Sequence, residues 1–286
     1  MIRIKLILLF VTTCLFIVSC EKYLEFDQET KDSKIVVNAM FDGDSTYSVH
    51  LSNSLSVIDT ADLTTIENGV VEVFDLNGNL IESLVHVGMG YYKGTLYPQT
   101  NAKYQVISSA PGYKTVSAID TMPPKSLIKN VDTAGVENEF NEKELRITLT
   151  FEDTPNVKNF YKLQIFGMDN VSGSIYGYPL SVRSDDVALG LSQDGYANEI
   201  LFDDVLFNGG DKTVVIYVDD TRDYDDFLEI RLTSLSESAF LYRETVKAYK
   251  ESNGNPFAQP VQVFNNILDG FGILGSQHTV IKEVSF

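Results

Sequence analysis

The chain is poor in the residue types that carry much of protein chemistry. Its 286 residues include no tryptophan, two cysteines and three histidines. His50, His86 and His278 are far apart in the sequence, and none lies in a zinc-binding spacing such as H-E-x-x-H. A G-x-S-x-G elbow, which would expose a nucleophilic serine, is also absent. Because no catalytic constellation is recognisable, the sequence predicts a protein that is not an enzyme and needs no cofactor.

Basic residues are also scarce, with 22 lysines and arginines against 40 aspartates and glutamates and a net charge of −18. A protein that binds nucleic acid needs a positively charged surface, so this composition argues against nucleic-acid binding. It also disfavours electrostatic docking onto anionic lipid. Acidity of this kind commonly serves solubility, and by itself it identifies no partner.

The first twenty residues have the layout of a secretory signal. Arg3 and Lys5 precede an apolar stretch at residues 6–18, and a small serine then precedes Cys20. The apolar stretch is shorter than the roughly 20 residues that a membrane-spanning helix needs. Its ending resembles a bacterial lipobox, in which the signal is cut before a cysteine that carries the lipid. We therefore predict a signal peptide at residues 1–19 and lipidation of Cys20.

The alternative is an ordinary signal peptide that leaves Cys20 as a free thiol. Cys14, the other cysteine, lies inside the predicted signal, so no disulfide is expected in the mature chain. Residues 20–34 are polar and charged and are predicted to form a tether. At about 3.3–3.6 Å per residue, residues 21–33 of this tether would reach roughly 45 Å when extended.

Residues 35–124 contain short runs rich in valine, tyrosine and phenylalanine, which are typical of β-strands. The Asn77-Gly78 pair predicts a tight hairpin, and Gly88-Met89-Gly90 predicts a further turn. Short strands with regularly spaced turns predict an Ig-like or transthyretin-like β-sandwich. The Pro123-Pro124 pair interrupts this pattern and is the predicted domain boundary.

Residues 125–286 are predicted to form a second β-rich domain with one amphipathic helix. Alternating apolar and polar residues predict a strand whose inward side chains are Leu145, Ile147, Leu149 and Phe151. The chain is predicted to close with a strand at residues 279–286.

The helix is predicted near residues 235–251. Ser234 and Glu237 fit a capping box with the serine at the N-cap. One helical face would then carry Leu235, Ala239, Tyr242, Val246 and Tyr249.

The run from Gly270 to Gly275 matches the dinucleotide-binding pattern G-x-G-x-x-G. That pattern requires a following helix and a second strand, and the 11 residues after Gly275 leave no room for them. We therefore predict a tight glycine-rich connection at this position.

The densest acidic cluster contains four candidate ligands for Ca²⁺: Asp219, Asp220, Asp223 and Asp225. Carboxylate oxygens suit Ca²⁺, which takes six to eight of them, but the spacing does not match an EF-hand loop. The favoured interpretation is a solvated loop between two strands, with a calcium site as the alternative.

The segment at residues 255–275 combines two prolines with three phenylalanines, Phe257, Phe264 and Phe271. An apolar surface that docks a partner protein is one interpretation of this segment. The other is a long connection that lines the core of its own domain.

Several stretches, taken with the lipobox, carry a likeness to a known family. They are Ile35-Val36-Val37-Asn38-Ala39, Asn68-Gly69-Val70-Val71-Glu72-Val73, Gly90-Tyr91-Tyr92, Gly112-Tyr113, Phe207-Asn208-Gly209, Asn255-Pro256-Phe257-Ala258-Gln259-Pro260-Val261 and Gly270-Phe271-Gly272. The chain resembles the Bacteroidetes outer-membrane lipoproteins grouped as domain of unknown function 4249 (DUF4249). The resemblance implies no catalytic residue.

The resemblance also implies a setting, because members of this family tend to be encoded beside TonB-dependent outer-membrane receptors. It points to an accessory lipoprotein that binds or supports such a receptor. A dense acidic run directly after the cysteine resembles a surface-export signal in these bacteria, and this chain lacks one. Both the periplasmic and the surface face of the outer membrane therefore stay open.

Two other functions compete with the accessory role. Fimbrial subunits of these bacteria are also two-sandwich lipoproteins, and they polymerise by adding a strand to an open sheet edge. A hydrolase that uses aspartate or glutamate is the third interpretation, supported only by the abundance of acids. The sequence names no small-molecule or peptide ligand.

Overall fold

A computed structural model describes residues 32–55, 62–190, 197–220, 226–253 and 258–285. Across these ranges the chain forms fifteen β-strands, one α-helix and one short 3₁₀ turn. The predicted mainly β fold, with a sandwich first and a single helix late in the chain, is confirmed. No helix within the described ranges is long and apolar enough to cross a membrane.

Seven strands precede Pro123 and eight follow it. The first seven are β1 (Ile35–Asp42), β2 (Ser48–Asn53), β3 (Val70–Asp75), β4 (Leu80–Gly88), β5 (Tyr91–Lys93), β6 (Lys103–Ser109) and β7 (Val116–Thr121). The others are β8 (Leu127–Glu137), β9 (Lys143–Asp153), β10 (Phe160–Val171), β11 (Ser174–Pro179), β12 (Ile200–Asp203), β13 (Gly210–Asp219), β14 (Phe227–Leu235) and β15 (Phe271–Ser285). The helix α1 spans Glu237–Ser252, and the 3₁₀ turn spans Val187–Leu189.

The predicted turns of the first half are present. Gly78 lies between β3 and β4 with φ of 81°, a left-handed conformation that glycine adopts at little steric cost. The Asp75 side chain accepts hydrogen bonds from the backbone N–H groups of Asn77 and Asn79 and closes the same hairpin. Gly88, Met89 and Gly90 all have positive φ and connect β4 to β5.

The first hydrophobic core lies between two layers of these strands. β1, β2 and β5 form one layer, β3, β6 and β7 form the other, and β4 pairs with both β3 and β5. Alternate residues of each strand point inward, and the fully buried ones include Ile35, Val49, Leu51, Val71 and Val73. Burial of alternate side chains from two facing layers is what makes this half a sandwich.

Residues that follow Pro123 in the sequence form a second hydrophobic core. Leu145, Ile147, Leu149 and Phe151 are all buried, as their alternation predicted. They belong to β9, the centre of a three-stranded sheet in the order β13-β9-β8. Their core also contains inward residues of β10, β12 and β14, which belong to the large sheet.

The last strand joins the two halves. β15 pairs in parallel with β1 on one side and antiparallel with β14 on the other. The large sheet therefore runs without a break in the order β11-β10-β14-β15-β1-β2-β5-β4-β3-β6-β7, with β12 beside β10. Leu274 of β15 enters the first core, and Val284 packs against the second. A domain boundary at residue 124 stays a prediction.

Two sequence predictions are wrong at this strand. β15 begins at Phe271 rather than at residue 279, and the run from Gly270 to Gly275 lies mostly in a strand rather than in a connection. The glycines belong there because the backbones of β15 and β1 approach closely. A Cβ atom on Gly272 would lie 2.0 Å from the carbonyl oxygen of Val37. Such an approach depends on tertiary pairing, so the local pattern indicated a turn instead.

The helix starts later than the capping-box pattern predicted. Ser234 and Leu235 are the last residues of β14, and the N-cap is Ser236, whose hydroxyl accepts a hydrogen bond from the N–H of Ala239 at 3.2 Å. Ser234 instead shares a hydrogen bond with Ser126 at 2.8 Å between their hydroxyls. The buried side chains of α1 are Ala239 and Phe240, which pack on Phe160 of β10 and Leu235.

Candidate functional site

The described chain enters the fold at one end of the first sandwich. The Ser33 hydroxyl donates to the carbonyl oxygen of Ser54 at 2.6 Å, and the Lys34 N–H donates to the Ser54 hydroxyl at 2.9 Å. The Ser54 N–H donates in turn to the Lys34 carbonyl at 2.8 Å. These bonds fix the start of β1 to the residue just beyond the end of β2. A tether that ends at residue 34 would therefore reach the fold here.

Two other connections lie against the same end of β2. The Leu51 N–H donates to the Gly90 carbonyl at 2.9 Å, which brings the β4–β5 turn against β2. The Ile66 N–H donates to the Leu51 carbonyl at 3.0 Å, and the Asn53 N–H donates to the Thr64 carbonyl at 3.0 Å. The segment at residues 62–66 therefore lies along the same end of β2.

The C-terminal segment reaches this end as well. Phe271, the first residue of β15, pairs with Val36 in β1, and the Lys34 ammonium lies 5.2 Å from the centre of the Phe271 ring. Leu268 and Ser117 form a β-bridge in which each N–H donates to the other's carbonyl. Residues that are distant in sequence thus border the point where the chain enters.

Large apolar side chains are exposed at this end. Met89 is 74% exposed, Leu63 69%, Leu268 68% and Phe271 47%. We call these four residues the tether-end surface. Single exposed apolar residues are common on proteins, but several around one end of a sandwich are typical of a surface that contacts a protein or a membrane.

Of the two predicted docking phenylalanines that the structure describes, one belongs to this surface. Phe271 is in it, and Phe257 lies outside the described residues. Phe264 is half-buried, and its N–H donates to the Thr245 hydroxyl of α1 at 2.9 Å. The structure therefore does not bring Phe264 and Phe271 together as one aromatic patch.

The rest of the C-terminal segment follows the body of the fold. The Asn266 side-chain amide accepts from the Leu274 N–H at 2.9 Å and donates to the Leu274 carbonyl at 2.8 Å, as a neighbouring strand would. Ile267 is buried in the first core. Both interpretations of the segment thus apply to different residues, since Ile267 lines the core while Leu268 and Phe271 stay exposed.

Sequence reasoning missed Leu63, Met89 and Leu268. Met89 carried the clearest signal, because an apolar residue between two glycines of a turn cannot be buried by that turn. Leu63 and Leu268 carried none, because their exposure depends on how separate connections meet at the end of β2.

The predicted acidic cluster is only partly within the described residues. Asp219 ends β13, and the Asp220 N–H donates to the Lys143 carbonyl at 3.3 Å. Asp223 and Asp225 lie outside the described residues, as does Cys20. Within the described ranges, no three histidine, cysteine or acidic side chains are placed to share a metal ion. Calcium binding at the four aspartates and lipidation of Cys20 stay predictions.

The three histidines lie on three different strands. His50 on β2 packs against Tyr91, with ring centres 4.7 Å apart, and His86 on β4 packs against Tyr92 at 5.2 Å. His278 on β15 is buried, and this burial lowers its pKa although its Nε2 atom lies 3.7 Å from an Asp44 oxygen. These contacts are structural, and the histidines form no common site.

A cavity of about 430 Å³ lies where the two halves meet, between the end of β7 and the N-terminus of α1. Its lining includes Asp120, which is only 6% exposed, and burial raises the pKa of this carboxyl. The neighbouring hydroxyls of Ser276, Ser236 and Ser238 act in the opposite direction. The arrangement therefore links the first sandwich to α1.

Comparisons with known proteins identify a family and two solved structures of low similarity. The model of the family described as "Domain of unknown function (DUF4249)" matches residues 21–283. The search of curated proteins finds no match. A DUF3823 family protein from Bacteroides ovatus ATCC 8483 is 11% identical, with 72% of this chain and 92% of that chain covered and a TM-score of 0.22. The B domain of a biofilm-associated protein is 8% identical, with 87% and 85% covered and a TM-score of 0.18. Neither structural likeness bears on function.

Proposed function

Since the match over residues 21–283 confirms that this chain belongs to the DUF4249 family, we propose that it is a lipid-anchored accessory protein of the outer membrane. In this proposal Cys20 carries the lipid, and the protein binds a TonB-dependent receptor without performing a reaction of its own.

One observation carries the proposal: four exposed apolar residues lie around the point where the chain enters the fold. Lys34 contacts Phe271, and Leu63, Met89 and Leu268 lie on connections around the same end. A tether of about 45 Å would hold this end near the membrane that contains the receptor. The tether-end surface is then the part of the protein that meets the receptor.

The tether-end surface is small, so its binding free energy for a receptor would be modest. Apolar area contributes about 25 cal/mol per Å² when it is removed from water, and a few central residues usually carry most of the binding energy. Anchoring both partners in one membrane also raises their effective concentration, so a small surface is sufficient.

Affinity purification of the lipidated protein from native outer membranes, followed by mass spectrometry, tests this proposal. The wild type should recover a TonB-dependent receptor in near-stoichiometric amounts, and the double variant Leu268→Ser/Phe271→Ser should recover at least tenfold less. The matched control is Ile175→Ser/Tyr176→Ser, which removes two exposed apolar residues from the distant strand β11. Recovery of the wild-type lipoprotein alone, under gentle detergent, would contradict the proposal.

A fimbrial subunit is the second candidate, and one observation favours it. β11 lies at the edge of the large sheet, and all six of its residues are exposed. Exposed edge strands are the elements through which strand addition occurs. Electron microscopy of cells that overexpress the protein distinguishes the two, because filaments would favour the fimbrial role.

A further inference from the structure

Strands β4 and β5 of the first sandwich carry exposed apolar side chains on their outward side. Leu84 of β4 points into the first core, so the alternation of the strand turns Val85 outward, where it is 67% exposed. A β-bulge in β4 places Val87 next to the position opposite Tyr91 of β5, and these two residues are 57% and 45% exposed. We call Val85, Val87 and Tyr91 the valine-tyrosine face.

The valine-tyrosine face continues into neighbouring elements. His50 of β2 pairs with Tyr91, and the centres of their rings lie 4.7 Å apart. Met89 lies in the turn between Val87 and Tyr91, so this face adjoins the tether-end surface. Contiguous exposed apolar side chains of this kind mark contact with a protein or a membrane.

The strands that carry this face are free of acid toward the tether end. No aspartate or glutamate occurs at residues 35–41, 48–53, 83–93 or 271–275, although the whole chain has 40 of them. Glu82, near the start of β4, accepts hydrogen bonds from the N–H groups of Thr95 at 2.7 Å and Leu96 at 3.1 Å. The opposite layer differs, because Glu72 of β3 lies between two buried valines and points outward. Lipid phosphates repel carboxylates, so the layer that carries the valine-tyrosine face is the better suited to a lipid surface.

The predicted lipid is close enough in the chain to bring this face to a membrane. Cys20 lies 13 residues before Ser33, whose hydroxyl donates to Ser54 just beyond the end of β2. His50 is separated from Ser54 by about 13 Å along β2, at about 3.3 Å per residue. A tether of roughly 45 Å therefore lets the sandwich lie on the valine-tyrosine face.

We propose that the valine-tyrosine face rests on the phospholipid surface of the membrane that holds the anchor. Val85 and Val87 enter the boundary between headgroups and acyl chains, and the Tyr91 ring lies at the headgroup level, where tyrosine is enriched in membrane proteins. The net charge of −18 disfavours an anionic surface, so the lipid is zwitterionic. In this orientation the tether-end surface points along the membrane, toward an embedded receptor. The inference rests on the lipid anchor of the proposed function and does not need the receptor.

The test uses a tryptophan as a probe, because the chain has none of its own. The chain from Cys20 onward, carrying Val87→Trp, is coupled through its single cysteine to a maleimide lipid in phosphatidylcholine vesicles. Brominated phosphatidylcholine in the vesicles should quench the tryptophan fluorescence by at least half. The matched control is Val70→Trp, at a residue that is 55% exposed at the start of β3 in the opposite layer, and it should stay unquenched. Absence of quenching at position 87 would overturn the proposal and leave this face to a protein partner, and equal quenching at both positions would overturn it as well.

Variants assign the quenching to the valine-tyrosine face. Adding Val85→Ser/Tyr91→Ser to the Val87→Trp protein should reduce the quenching at least twofold. Adding Val205→Ser/Leu206→Ser, which changes two exposed residues just after β12, should leave it unchanged, and equal effects of the two pairs would contradict the assignment. If Val87→Trp fails to fold, Val85→Trp serves as the probe. Chemical coupling replaces lipidation in the cell and the vesicles contain no receptor, so this result and the receptor purification can fail separately.

Discussion

At the scale of single residues, Gly272 lies where the backbones of β15 and β1 approach closely. Replacing it with alanine would place a Cβ atom 2.0 Å from the Val37 carbonyl oxygen, at a residue whose φ is +111°. We expect Gly272→Ala to lower the free energy of unfolding by about 3 kcal/mol or more, because it combines backbone strain with overpacking. Urea unfolding followed by circular dichroism measures this loss.

The matched control for this change is Gly112→Ala. Gly112 also has a positive φ, of +85°, but a Cβ atom there would meet nothing within 4 Å. Gly112→Ala should lower the free energy of unfolding by about 1–2 kcal/mol, from the backbone conformation alone. Equal losses at both glycines would show that the approach to β1 is not tight.

Asp120 gives a prediction with a definite pH dependence. Its folded pKa is raised by burial, so the folded state binds the proton more tightly than the unfolded state does. The stability that this proton contributes is complete below the unfolded pKa, near 4, and is lost as the pH rises through the folded pKa. The wild type should therefore lose stability relative to Asp120→Asn as the pH rises from about 4.

The measurement is the difference in unfolding free energy between wild type and Asp120→Asn across this pH range. Taking the difference removes the contributions of the other acidic residues, which both proteins share. A difference that stays constant with pH, or that changes in favour of the wild type as the pH rises, would contradict the buried-carboxyl interpretation.

At the scale of elements, the start of α1 distinguishes Ser236 from Ser234. The Ser236 hydroxyl accepts from the N–H groups of Ala239 at 3.2 Å and Ser276 at 3.0 Å, so it caps the helix and ties it to β15. Ser236→Ala should lower the free energy of unfolding by about 1–2 kcal/mol and speed hydrogen exchange at the Ala239 amide. Ser234→Ala should leave exchange at that amide unchanged, and faster exchange in that variant would restore Ser234 as the cap.

The elements that sequence reasoning found are those whose signal is local. The alternation at residues 145–151 and the Asn77-Gly78 turn each depend on neighbours along the chain, and both are present. The helix start was misplaced because Ser234, with Glu237 three residues later, fits the capping-box pattern and Ser236 does not. Only strand pairing decides which serine is free to cap. β15 was shortened because its glycines are explained by β1, which lies more than 200 residues away.

The same distinction applies to the tether-end surface. Phe271 was named in advance because aromatic residues near prolines and glycines suggest an exposed apolar segment, whereas Leu63 and Leu268 are exposed through tertiary placement.

At the scale of the whole molecule, β15 pairs with a strand from each half. It covers the edge of β1, and Ile267 and Leu274 fill part of the first core. We expect a fragment of residues 33–124 to remain largely unfolded, since it lacks these residues and exposes the edge of β1. Circular dichroism and thermal unfolding measure this, and a cooperative transition in the fragment would instead support an independent domain that ends at residue 124.

The central functional claim is that the tether-end surface meets a membrane receptor. The most direct test places a photo-cross-linking amino acid at Leu268 of the lipidated protein and irradiates intact cells. We expect a cross-link to a TonB-dependent receptor from this position and none from the same probe at Ile175 on β11. Correct delivery to the outer membrane without a receptor cross-link at Leu268, or equal cross-linking from Ile175, would contradict it.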